Sequence, residues 1–119
     1  MVSGRLASNK RNSSVKIYIA GPYTKGDVVL NVRNAVIAAV LVYERGHEYY
    51  IPHLSHLEHT ILPRPYEYWL KHDMAWLEAC DGILRLEGES VGADAEVKRA
   101  KALGLQVFFA VSDIPNIVT

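Results

Sequence analysis

With 119 residues, 50% of them hydrophobic and 22% charged, the chain has the length and balance of one globular domain and is too short to divide into two. Thirteen Lys and Arg against thirteen Asp and Glu leave no formal net charge, whereas a protein that grips a nucleic-acid backbone carries a basic excess, so polymeric DNA and RNA are excluded as partners. The single cysteine, Cys80, allows no intrachain disulfide and suits a reducing compartment; no apolar run reaches the ~20 residues of a membrane span, and the expected address is the cytoplasm.

Met1–Ser14 is basic and polar without the apolar segment of a secretory signal, and reads as a flexible tail ahead of a domain over residues 15–119. Val15–Ala20 is a short β-branched run that stops at Gly21-Pro22, which predicts a first strand buried on both faces. After the loop Gly21–Asp27, Val28–Arg45 is a long helix closed by Gly46. Its apolar content (Ala35 through Val42) wraps more than one face, so the helix is expected to cover the sheet and also a second subunit.

Tyr49–Pro52 predicts a second strand, Pro52–Pro65 a loop, and Tyr66–Cys80 a second helix with Tyr66, Trp69, Leu70, Leu77 and Cys80 on one stripe. Ile83–Leu86 follows as a third strand, Glu87–Gly92 as a loop, Ala93–Leu103 as a helix closed by Gly104, and Leu105–Val111 as a fourth strand. This β-α-β-α-β-α-β order predicts a single α/β domain: a small parallel, flavodoxin/Rossmann-like sheet of four to five strands with helices on both faces. In such sheets ligands bind beyond the carboxyl ends of the strands, which directs attention to the loops Gly21–Asp27, Pro52–Pro65 and Glu87–Gly92.

Asp73 is the first anomaly. Positions 66, 69, 70, 73, 77 and 80 share one face at 3.6 residues per turn, and Asp73 is the only polar residue among them. A buried carboxylate is costly unless it is paired or used, so Asp73 is either an edge residue bonded to a loop or a working group. Glu96 is the second. It sits beside the face formed by Ala93, Val97, Ala100 and Gly104, in what the spacing makes the first helical turn. There the helix dipole favours an ionised carboxylate suited to nucleophilic attack, although a stabilising Glu is common at that position too.

Gly88-Glu89-Ser90-Val91-Gly92 leads a strand into a helix start, where backbone N–H groups and the Ser90 hydroxyl can hold an anion or a sugar hydroxyl; an ordinary turn fits equally well. Tyr18 either fills the core or reaches the site, and Tyr23, Thr24 and Lys25 can line a pocket. His53, His56 and His59 recur every third residue, but prolines break the stretch and no carboxylate or cysteine completes a ligand set, so no metal and no other cofactor is expected. No nucleophile elbow, P-loop or dinucleotide-binding glycine pattern occurs.

Together these residues resemble the nucleoside 2-deoxyribosyltransferase superfamily, which includes the 2′-deoxynucleoside 5′-monophosphate N-glycosidases. The resemblance runs from about Tyr18 to Val111 and rests on Ile17-Tyr18-Ile19-Ala20-Gly21, on Asp73-Met74-Ala75-Trp76-Leu77 with Cys80-Asp81, and on Ser90-Val91-Gly92 with Glu96. It implies cleavage or transfer at an N-glycosidic bond. Glu96 is then the nucleophile toward an anomeric carbon, Asp73 manages the proton on the departing base, and Tyr18 orients Glu96. Substrate contacts come from Gly21, Tyr23, Thr24, Ser90 and Gly92.

The resemblance also implies a small nucleoside or nucleotide as partner and a homodimer or larger homo-oligomer whose C-terminal region, here with Asn116 and Thr119, completes a neighbour's site. Ser90 matches the monophosphate hydrolases, in which that serine contacts the 5′-phosphate. Pro22 and Thr24 stand where those hydrolases carry a serine and an arginine, which leaves Lys25 and Arg85 as the cations available to a phosphate. The alternative reading is a non-catalytic nucleotide-binding or sensing domain on the same scaffold.

Overall fold

The computed structural model describes residues 13–118; residues 1–12, which hold most of the expected tail, and Thr119 lie outside the described residues. Four strands, β1 (Lys16–Ala20), β2 (Glu48–Tyr50), β3 (Gly82–Arg85) and β4 (Gln106–Phe108), form one parallel sheet in the order β2-β1-β3-β4. The helices are α1 (Val28–Glu44), α2 (Ser55–Ile61), α3 (Tyr66–Glu78) and α4 (Val91–Ala102). This is the α/β architecture expected from the sequence, with the strand order of flavodoxin-like sheets.

β1 is buried without a break from Ile17 to Ala20 because it is central, with a neighbour on each side and helices over both faces. Its two-residue alternation divides the core. Ile17 and Ile19 pack with Leu84 and Phe108 beneath the small residues Ala35, Ala38, Ala39 and Val42 of α1. Tyr18 and Ala20 face the other way, into a cluster with Ile83, Leu105, Leu77 near the end of α3, and Ala93, Val97 and Ala100 of α4. Tyr18 and Glu96 therefore belong to the α3/α4 side. The strand order reverses between β1 and β3, and the loops that follow these two strands open the crevice at the carboxyl edge.

Local chemistry fixes the ends of α1. Asp27 caps its first turn by accepting from the Leu30 amide at 3.2 Å. Gly46 ends it at φ +100°, where a Cβ would stand 2.4 Å from Ile117, so both backbone and space demand glycine. Ile117 belongs to a C-terminal segment that returns across the foot of α1. His47 ties that segment down: its Nε2 donates to the Pro115 carbonyl at 2.6 Å while Nδ1 accepts from the Val15 amide at 3.2 Å.

Four expectations need correction. The stretch 52–65 is not an open loop; it contains a 3-10 turn (Pro52–Leu54) and α2, which Pro63 and Pro65 bring to an end. α4 begins at Val91, not Ala93, because Ser90 serves as its cap. The fourth strand ends at Phe108, and Val111–Asp113 forms a 3-10 turn instead of extending it. Gly104 is exposed at the end of α4, not turned to the sheet. Among the described residues no helix is long and apolar enough to cross a membrane.

Candidate active site

The Tyr18 hydroxyl donates to Glu96 Oε2 at 2.6 Å. The central strand aims Tyr18 at the α4 face with its side chain fully buried, so the residue fills the core and reaches the carboxylate at once. Burial pushes its phenol well above the ordinary range, and the Glu96 and Asp73 charges push it further, so it remains a donor.

The earlier start of α4 moves Glu96 from the first turn into the second. The first-turn acid is Asp94, and the dipole's pull on a carboxylate fades beyond that turn. Burial instead raises Glu96 to about 7; the Tyr18 hydrogen bond and Arg85 oppose the rise, while the Asp73 charge adds to it. The ionised form is thus held by a phenol, not by a helix end.

Asp73 projects from the middle of α3. The stripe around it is not buried along its length as its spacing implied: Leu77 and the following Cys80 are buried, but Tyr66 and Leu70 are exposed. Asp73 sits where the packing runs out. Its Oδ1 is buried with no hydrogen-bond partner, and desolvation lifts the carboxyl to about 7. A protonated carboxyl is cheaper to leave unpaired than a carboxylate, so burial favours the acid form. The Asp73 charge is in turn one of the causes that raise Glu96.

Tyr50, at the end of β2, is a neighbour that sequence reasoning missed. Its ring tilts against Tyr18 at 5.6 Å and stacks on Trp76 at 5.1 Å, within 10° of parallel. Burial, followed by the charges of Asp73, Cys80, Glu58 and Glu96, pushes its hydroxyl up to about 12. An aromatic residue at the carboxyl end of the strand beside β1 was the signal available in the sequence.

The first loop is held against the third. Gly21 is buried, and a Cβ there would lie 3.0 Å from Leu86 Cβ. Gly88 has φ +111°, and a Cβ would come within 2.8 Å of Pro22 Cγ. Tyr23 is half-buried and shares a 2.5 Å hydrogen bond with His56 Nδ1, while Thr24 is exposed. Ser90 Oγ accepts from the Ala93 amide at 3.0 Å as the helix cap, and Gly92 lies exposed in the first turn with open space about its Cα.

The three spaced histidines diverge. His53 is buried with Nε2 on the Pro22 carbonyl at 3.0 Å, His56 meets Tyr23, and His59 accepts from Trp69 Nε1 at 2.8 Å. A separate cavity of about 500 Å³ lies on the α1 side, lined by Asn34, Leu84, Leu86, Glu87, Phe109, Ala110 and Val111; it contains none of the candidate residues.

Fold and site together define a flavodoxin-like α/β domain with a tyrosine-bound glutamate and a second acid at the carboxyl edge of its sheet. The chain belongs to the DUF4406 family, described as a domain of unknown function, whose model matches residues 15–109. No curated protein matches the sequence.

Among solved structures, the fold is similar to a 2-deoxyribosyltransferase from the psychrotolerant bacterium Bacillus psychrosaccharolyticus, with a TM-score of 0.58 and 20% identity over 77% of this chain and 69% of that one. It is also similar to a conserved protein from Enterococcus faecalis V583, with a TM-score of 0.64 and 19% identity over 80% of this chain; there the chain spans 62% of its relative's length. At these identities the likeness is one of fold, and it is the fold of the superfamily that the sequence resembles.

Proposed function

We propose that this protein cleaves or transfers at the N-glycosidic bond of a 2′-deoxynucleoside or its 5′-monophosphate, through a covalent intermediate on Glu96. The observation that carries the reading is the 2.6 Å bond from Tyr18 to Glu96 at the mouth of the sheet, beside an acid with a buried, unpartnered oxygen. The likeness in fold to a 2-deoxyribosyltransferase supports the same reading.

Ionised Glu96 attacks the anomeric carbon as the bond to the base breaks. The bonding pair leaves with the base, which takes the proton held by Asp73. Water or a second base then attacks the same carbon, Glu96 departs as a carboxylate, and Asp73 recovers a proton from the incoming nucleophile. The oxocarbenium-like transition state gains from the nearby anion, and the base leaves better when protonated. Tyr18 keeps Glu96 aimed; Gly21, Tyr23, Thr24, Ser90 and Gly92 border the substrate.

The protein is proposed to act as a homodimer in the cytoplasm. Ile37, Val40, Leu41 and Tyr43 stand exposed on α1, apolar side chains that a second copy of the chain can cover.

The test is to incubate the protein with the common 2′-deoxynucleosides and their 5′-monophosphates and to follow free base by chromatography. Glu96→Ala is expected to abolish release, and an added acceptor base separates transfer from hydrolysis by the new nucleoside it yields. Full activity in Glu96→Ala refutes the nucleophile; no release from any substrate refutes the reaction.

A further inference from the structure

We infer that the site selects an uncharged substrate, a free nucleoside in preference to its 5′-monophosphate, because every cation on its rim is already neutralised and the charge left over is negative. The inference rests on the glycosidic reading above and narrows its substrate.

A phosphate monoester carries about −1.5 to −2 charges at neutral pH and needs cationic or N–H partners to leave water. The loops after β1, β2 and β3, with the adjoining Arg85 and Asp94, supply three lysine and arginine side chains, Lys25, Arg64 and Arg85; the histidines of the same segments, His53, His56 and His59, are engaged by the Pro22 carbonyl, Tyr23 and Trp69. Arg85 is the most committed. Its side chain is 11% exposed and donates to Asp94 Oδ1 at 2.9 Å, to the Gly88 carbonyl at 3.0 Å and to the Leu86 carbonyl. Arg64 meets Glu58 at 2.5 Å and lies over the Tyr68 ring, 4.3 Å from its centroid. Lys25 pairs with Glu89 at 3.3 Å across the two loops that enclose the site.

The same segments carry five acids: Asp27, Glu58, Glu87, Glu89 and Asp94. Asp27 caps α1, and three of the others answer the three cations. The Glu96 carboxylate remains in excess within the site, while Glu87 lines the separate cavity on the α1 side. A phosphate here would meet net like charge.

The start of α4 does not reverse this balance. Its dipole is answered by Asp94 in the first turn, and the Ala93 amide is already taken by Ser90 Oγ. Ser90 keeps its own proton, which can be donated to a neutral hydroxyl. The exposed Lys25–Glu89 pair is the one contact that a phosphate could disrupt cheaply, since such pairs contribute little. That makes Glu89 the residue through which the preference can be altered.

The experiment compares each 2′-deoxynucleoside with its own 5′-monophosphate in kcat/KM and in the shift of Tm on binding. The nucleoside is expected to be favoured at least tenfold. Added salt should lower KM for the monophosphate, by screening repulsion, and leave that of the nucleoside unmoved. Glu89→Gln, which frees Lys25, should shift the ratio toward the monophosphate. A parent protein that prefers the monophosphate, or whose monophosphate KM rises with salt, overturns this inference and leaves the glycosidic reading standing. If neither compound binds or is cleaved, both fall together.

Discussion

The Tyr18 hydroxyl and the Glu96 carboxylate, 78 residues apart in sequence, meet at 2.6 Å because a central strand and the helix after its neighbouring strand face each other across one core. Tyr18→Phe keeps the ring and removes the bond. A hydrogen bond to a charged group contributes about 1.5–3 kcal/mol, so a loss of ~10–100-fold in activity is expected. That bond holds Glu96 down; without it the acid limb of the pH–rate profile should move upward. An unmoved limb would show that Tyr18 does not set the charge of Glu96.

Stability should also respond to pH through the two carboxyls. Asp73 and Glu96 are both raised to about 7 by burial. For an acid raised on folding, the contribution is fully present below the unfolded value near 4 and is lost as pH climbs through the folded one. Asp73→Asn should therefore match the parent near pH 4 and be more stable at pH 8, by about 1–2 kcal/mol or several degrees in Tm, after allowance for the solvent around α3. Thermal melts across pH 4–9 check this, and equal curves at both ends would remove the buried-acid account.

Gly88 and Gly26 form a matched pair for the loops. Both have positive φ, but a Cβ at Gly88 meets Pro22 at 2.8 Å whereas one at Gly26 has nothing within 4 Å. Gly26→Ala should cost only the left-handed penalty of about 1 kcal/mol. Gly88→Ala should cost about 2–3 kcal/mol and raise KM, since the first and third loops must part. Urea titrations and steady-state kinetics on the two variants separate strain from contact.

Replacing His47 with Ala leaves the Val15 amide and the Pro115 carbonyl without their bridge. The expected loss is about 2–3 kcal/mol with no change in kcat, because the bridge lies away from the carboxyl edge. A selective fall in kcat would contradict that separation.

The sequence made the parallel sheet legible because its strands are short apolar runs bounded by Gly and Pro, as at Ile17-Tyr18-Ile19 before Gly21-Pro22. The acids were legible as misfits, Asp73 on an apolar stripe and Glu96 beside one. Their surroundings were not. Helix spacing could not reveal that the stripe of α3 is fully buried only at Leu77 and beyond, because burial depends on what lies opposite. Nor could it reveal that Ser90 spends its hydroxyl on the Ala93 amide, which brings α4 forward and takes Glu96 out of the first turn. The role of Tyr50 needed the strand order, since only the pairing of β2 with β1 sets it beside Tyr18.

The two acids differ in how they are anchored. Glu96 hangs on a helix whose buried residues run from Ala93 to Ala100, while Asp73 rides the part of α3 that precedes its only buried residue, Leu77. Upstream of Asp73, α2 buries none of its residues and is joined to α3 through Trp69 on His59 and through Arg64, which donates to both Glu58 and the Tyr68 hydroxyl. Amide exchange should accordingly be slow along β1 and α4 and fast from residue 55 to about residue 72. Glu96 is fixed in the packed core and Asp73 is carried by a helix with less buried surface, so any change in their separation on binding is expected to come from the Asp73 side.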